Sequence, residues 1–281
     1  ENISQRAIAS YCRGLCAFEP VAASEDEAAS QRDLRAFFEA LYARMFENPA
    51  RFGMPVTADD GLAALGEPTE RKTEMNRKLK RPRDVLAAAV GLLQGFGRAG
   101  RLSDGALLVA PAEYRPLVAA GTRAKRAILA GMADVGLTFT EGEAEVAIRS
   151  ARFPRMMPAL KAMAEACALL PGPDLPLFCF ARCDFRALRP GYRLDPLALL
   201  AYFDPEPRDR ALRLHRFLLA TGHQPICRVY GMHGWDIQYQ GPRKIKASPI
   251  VQFDYSERHR DPCLAHVKCA SSDRIAPFFA E

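Results

Sequence analysis

Tryptophan occurs once in this chain, at position 235, histidine five times, and eight cysteines are spread over 281 residues. The cysteines stand at 12, 16, 167, 179, 183, 227, 263 and 269, too irregularly for the disulfide framework that staples small secreted domains, so reduced thiols are expected. Apolar runs fall short of the roughly 18 to 20 residues a membrane helix needs, and the opening stretch ENISQRAIASYCRG lacks a signal-peptide core. Both absences point to a soluble, cytoplasmic protein. The chain also lacks H-E-x-x-H, G-x-S-x-G, a P-loop and G-x-G-x-x-G. GFGRAG, residues 95 to 100, follows a helical pattern rather than a strand, so it does not meet the geometry of a phosphate cradle. No cofactor is expected, and no motif speaks for an enzyme. The best metal-like spacing is Cys263, His266 and Cys269. An alternating strand over CLAHVKCA puts His266 on the face opposite Cys269, whereas zinc needs about four converging ligands. No metal site is expected there.

Apolar residues make up 49% of the chain, enough to bury one large core or several smaller ones. The net charge of +6 permits an anionic partner without requiring one. The pattern along the chain predicts an α+β protein in three parts. Residues 1–68 read as helical, with Ile8, Tyr11, Cys12 and Leu15 on one face and Leu34, Phe37, Phe38, Leu41 and Phe46 on another; Asn48-Pro49 ends the second helix. Residues 69–150 begin with TERKTEMNRKLKRPR, the strongest basic run, in which Arg77, Lys78 and Lys80 suit either a phosphate-contacting arm or a solvated linker. Residues 151–281 form an α+β unit ending in a β-meander.

The order of elements after the basic run carries most information. The helix RDVLAAAVGLLQGFG leads to the strand GALLVA and the helix PAEYRPLVAAG, which opens on Pro111. The helix TRAKRAILAGMADVG follows, with Thr122 placed to cap it, and then the strands LTFT and EVAIRS. Helix, strand, helix, helix, strand, strand resembles the winged-helix fold, whose third helix usually enters the DNA major groove. That resemblance implies phosphate or guanine contacts from Arg123, Lys125 and Arg126, with Arg115 on the helix before. The expected wing departs from the family pattern, because Glu141, Glu143 and Glu145 would face phosphates.

Past Arg152, an amphipathic helix buries Met157, Leu160, Met163, Ala164 and Cys167. LFCFARCDFRAL alternates like a strand. This predicts Arg182, Asp184 and Arg186 on one face, as an anion-binding or self-paired ladder, with Cys183 buried on the other. In WDIQYQ, Trp235, Ile237 and Tyr239 share the apolar face. The following turn gathers Arg243, Lys244 and Lys246 where an anion can be met. The leading expectation is a non-enzymatic nucleic-acid-binding or regulatory protein. A pocket protein or enzyme for a small anion, built on the Arg-Asp-Arg strand, is the second, and a protein-interaction scaffold the third; a protein partner or homo-oligomer is compatible with each.

Overall fold

The computed structural model of the chain describes residues 2–15, 20–56, 68–119, 123–232, 234–241, 251–256 and 263–267. It is α+β, with antiparallel sheets, and its contacts gather into two units: residues 1–192 with 231–233, and residues 193–230 with 234–281.

The first unit starts with α1 (Ile3–Gly14), whose free amides are met by Asn2: its Oδ1 accepts from Ser4 N at 3.0 Å and Gln5 N at 2.9 Å. Helix α2 (Glu25–Glu47) is capped by Ser24, which accepts from Glu27 N, while Glu27 accepts from Ala23 N; Glu25, Asp26 and Glu27 suit the positive end of the helix dipole. Its stripe of Leu34, Phe37, Phe38 and Leu41 is fully buried as the period predicts, and Phe46 is half-buried. Asn48 ends α2, and Pro49–Phe52 continue as a 3-10 turn.

Helix α3 (Pro68–Ala99) corrects the linker reading, because the basic run is the helix's own first half. Met75, Leu79, Pro82 and Leu86, at helical spacing, are buried and anchor it. Pro82 cannot donate a backbone hydrogen bond, but the helix runs through it. Helix α6 (Met156–Ala168) packs against both α2 and α3, so residues 151–192 belong with the helices of the first unit. Its predicted stripe, Met157 to Cys167, is buried. Gly97 makes the α3–α6 approach possible, since a Cβ there would lie 2.6 Å from the Cβ of Ala164 and 2.8 Å from the carbonyl oxygen of Leu160.

Beyond α3 come β1 (Arg101–Ser103), β2 (Ala106–Val109), α4 (Pro111–Ala119), α5 (Arg123–Asp134), β3 (Leu137–Glu141) and β4 (Val146–Ser150). The sheet order is β1-β2-β4-β3. Strand β1 is additional to the expected set. Asp104 (φ 45°) and Gly105 (φ 71°) form a two-residue turn whose left-handed backbone matches the twist of a hairpin. Helix α7 (Asp174–Ala181) and a 3-10 turn at Phe185–Leu188 complete this unit.

In the second unit, α8 (Pro196–Leu200) and α9 (Pro205–Ala220) precede the sheet β5 (Gln224–Val229), β6 (Gly234–Gln240), β7 (Val251–Ser256) and β8 (Cys263–Val267), paired in chain order. Trp235 is fully buried and stacks on Phe203 with ring centroids 5.2 Å apart, so it is part of the core. Tyr239, on the same face, meets Nδ1 of His215 at 2.6 Å. Asp236, on the opposite face, is also buried and accepts from the Tyr230 hydroxyl and from Gln238 at 3.0 Å.

Candidate functional site

Helices α4 and α5 stand between β2 and β3 in the chain, and each is anchored on one side only. On α5 the inner stripe is Ala124, Ile128 and Met132, all buried, and Val135 just past the helix is buried too. The outer positions Arg126, Ala130 and Ala133 are exposed. On α4 no residue is fully buried; Tyr114 holds it by stacking on Phe96 at 5.8 Å, and Arg115 is exposed. Lys125 ties the two helices, donating from Nζ to the carbonyl of Leu117 at 2.9 Å. Part of its hydrogen-bonding capacity is thus spent on the C-terminal turn of α4, where a cation suits the helix dipole. Arg115 and Arg126 meet no carboxylate among the described residues. Arg123 opens α5, and its side chain, like Thr122, lies outside the described residues.

The β3–β4 turn is acidic. Glu141 and Glu143 are exposed, but Glu145 is gripped in a two-pronged pair by Arg101 of β1, Nε to Oε1 at 3.0 Å and Nη2 to Oε2 at 2.8 Å. The missed strand therefore supplies the counter-charge to one of the three glutamates. The signal for it was present in the sequence, as Asp104-Gly105 between short apolar stretches.

Two cations of the basic half of α3, Arg77 and Lys80, are paired along the helix's own surface. Arg77 grips Glu74 at 2.6 and 2.7 Å and holds its carboxyl below the usual range. Lys80 meets Asp84 at 2.7 Å, and Arg81 donates to the Gly53 carbonyl at 3.2 Å. Lys78 is half-buried. Such exposed pairs contribute little stability.

The Arg-Asp-Arg strand is not formed, and this is the largest correction. Residues 174–181 are helical, and Arg182 is the residue that ends the helix. Phe178, Cys179, Phe180 and Ala181 are all buried, so the segment shows no one-sided periodicity from which a helix could be read. Arg182 and Asp184 are fully buried and do not share an exposed face. Arg182 donates to the carbonyl of Met232 at 2.6 Å and lies over the ring of Phe178, 4.2 Å from its centroid. Asp184 accepts two hydrogen bonds at 2.7 Å from Arg186 and one at 3.2 Å from the Tyr192 hydroxyl. Cys183 is buried as expected, but at a left-handed turn (φ 48°). Burial, reinforced by Asp184, pushes the Cys167 thiol up to about 12 and that of Cys179 well above its usual value, which leaves both inert as nucleophiles.

Arg243, Lys244 and Lys246 lie outside the described residues, as does Cys269. Cys263 and His266 fall on β8, where the register sets His266 opposite Gln252. Among the described residues no group of three or more His, Cys, Asp or Glu converges as a metal site, and no helix is long and apolar enough to cross a membrane. Of the basic residues singled out from sequence, Lys80 is brought into a cleft, beside Asn76, Arg83 and Asp84, which sequence reasoning passed over. Their spacing on one helix stripe was the available signal.

Compared with models of protein families, with curated proteins and with solved structures, the chain matches none.

Proposed function

We propose that residues 69–150 bind duplex nucleic acid, as the recognition module of a regulatory protein without catalytic activity. The observation that carries this is the pair of exposed arginines, Arg115 and Arg126, on helices joined through Lys125, neither matched by a carboxylate among the described residues. Half of the other arginines of the first unit with a described side chain meet an Asp or Glu: Arg32, Arg35, Arg44, Arg51, Arg77, Arg101, Arg155 and Arg186. Unpaired surface cations release counterions when phosphates replace them, and that release drives binding. The β2-β4-β3 pairing behind α4 and α5 supports the winged-helix likeness. The small outward residues Ala130 and Ala133 let α5 approach a groove closely, with Arg123 at its start. Exposed Glu141 and Glu143 repel phosphates, so docking proceeds through the helices and not the β3–β4 turn.

The test is fluorescence anisotropy of a labelled duplex over a range of salt concentrations. Wild type is expected to bind with steep salt dependence. Arg115→Ala/Arg126→Ala is expected to weaken binding about tenfold or more at low salt and to reduce the log–log salt slope by about 2, one per lost phosphate contact. Absent or salt-insensitive binding by the wild type removes the proposal.

A further inference from the structure

Helix α9 packs inward through Ala211, His215 and Leu218, which are buried at helical spacing, and His215 meets Tyr239 of β6. The opposite face carries Glu206, Asp209, Arg213, Arg216 and Phe217, all exposed, the last at 63%. We propose that this face pairs with the same face of a second copy of the chain, the two α9 helices running antiparallel about a two-fold axis near residue 211. The proposal is independent of nucleic-acid binding by residues 69–150.

The order of charge along the face sets the partner. Glu206 and Asp209 occupy its N-terminal half and Arg213 and Arg216 its C-terminal half, each pair three residues apart on one stripe. Antiparallel pairing sets position 206 level with 216 and 209 level with 213, so the acidic half of each copy lies against the basic half of the other. The two-fold axis repeats each contact, as in any isologous interface. An in-register parallel pairing would oppose like charges, which is unfavourable. Within the chain, Asp209, Arg213 and Arg216 meet no opposite charge among the described residues. Glu206 pairs with Arg210 four residues on, with both side chains largely exposed, 77% and 69%. Such a pair is weak, and a carboxylate accepts from more than one guanidinium, so Glu206 is open to the partner.

Phe217 supplies the apolar contact. It falls level with Pro205, which opens the partner helix and is exposed as well. Aromatic and arginine side chains are enriched as anchors at protein interfaces. A bilayer fits this face poorly, because Leu219, 44% exposed, points about 200° around the helix from Phe217 and cannot insert beside it. An acidic protein would match the two arginines but would be repelled by Glu206 and Asp209. The 16 residues of α9 span about 24 Å, a contact at the small end of stable interfaces, so the dimer forms reversibly with concentration.

Sedimentation equilibrium of the full chain tests this. Wild type is expected to show a monomer–dimer equilibrium in the micromolar range, weakened by salt because the paired charges are exposed. Arg213→Glu/Arg216→Glu leaves only negative charge at the four paired positions, and Glu206→Arg/Asp209→Arg only positive. Each of these variants alone is expected to self-associate about tenfold or more weakly than wild type. Their equimolar mixture is expected to restore a dimer holding one copy of each, an outcome that a merely damaged helix does not give. Phe217→Ser weakens the dimer with all charges kept. Arg115→Ala/Arg126→Ala leaves it unchanged, so association and nucleic-acid binding are read separately. The proposal is overturned if wild type stays monomeric at about 0.5 mM, well above the Kd of a specific contact of this kind. It is overturned equally if both charge-reversed variants and Phe217→Ser associate as wild type does, or if the two reversed variants, folded by circular dichroism, form no mixed dimer.

Discussion

Two groups of arginines in the first unit have opposite surroundings. At the end of α7, Arg182 and Arg186 are enclosed, one on a backbone carbonyl and an aromatic ring, the other on a carboxylate that is itself fully buried. On α4 and α5, Arg115 and Arg126 project into solvent without a counter-charge among the described residues. Removing an ion from water is costly, so a buried arginine is stable only where acceptors are already arranged around it. An exposed one keeps its hydration and stays available to a partner. Residue type alone therefore does not mark a site; the surroundings decide whether an arginine holds the fold together or awaits a ligand.

The comparison is broken most directly at Asp184. Asp184→Ala strands the Arg186 guanidinium and the Tyr192 hydroxyl in the interior, and urea denaturation is expected to show a loss of roughly 3 to 5 kcal/mol. A loss below about 1 kcal/mol, the level of an exposed pair, shows that the cluster is not the closed network described. Arg182→Met keeps much of the packing on Phe178 but removes the hydrogen bond to Met232, for an expected loss of about 2 kcal/mol by the same measurement. Arg115→Ala/Arg126→Ala sharpens the contrast, since its stability is expected to stay within about 0.5 kcal/mol per site of wild type although its nucleic-acid binding falls.

The smallest effect concerns His215 in the second unit. Burial lowers its pKa below the usual 6.5, against Asp195, which raises it, and in concert with Arg216, which lowers it. The folded state thus favours the neutral ring, hydrogen-bonded to Tyr239. This contribution is fully present above the unfolded pKa and is lost as the pH falls through 6.5 toward the lower folded value. Melting temperature is expected to fall over that window more steeply in wild type than in His215→Gln, and parallel curves count against the assignment.

Much of the fold was legible in the sequence where one face of an element is buried. The stripes of α2 and α6, the strands around Gly136 and the buried Trp235 all follow from periods of 3.6 or 2. Two segments misled for physical reasons. Residues 177–181 are buried on nearly every side, so helix and strand patterns cannot be told apart there. The dense charge of the basic run suggested an arm or a solvated linker, whereas Met75, Leu79 and Leu86 held the helical period across it. Within the candidate sites, Arg115 and Arg126 were legible as cations. That the first two charges of the Arg-Asp-Arg cluster are fully buried was not.

By itself the sequence determined the local terms: which stripes are apolar, where Ser24 and Asn2 cap helices, where Asp104-Gly105 turns the chain, and how much charge the chain carries. The tertiary structure alone decided which charges find partners. Arg182 meets a carbonyl 50 residues away and Arg101 a carboxylate 44 residues away. Such pairings depend on how whole elements stack and register, and neither the hydrophobic period nor the charge pattern of a single segment carries that information.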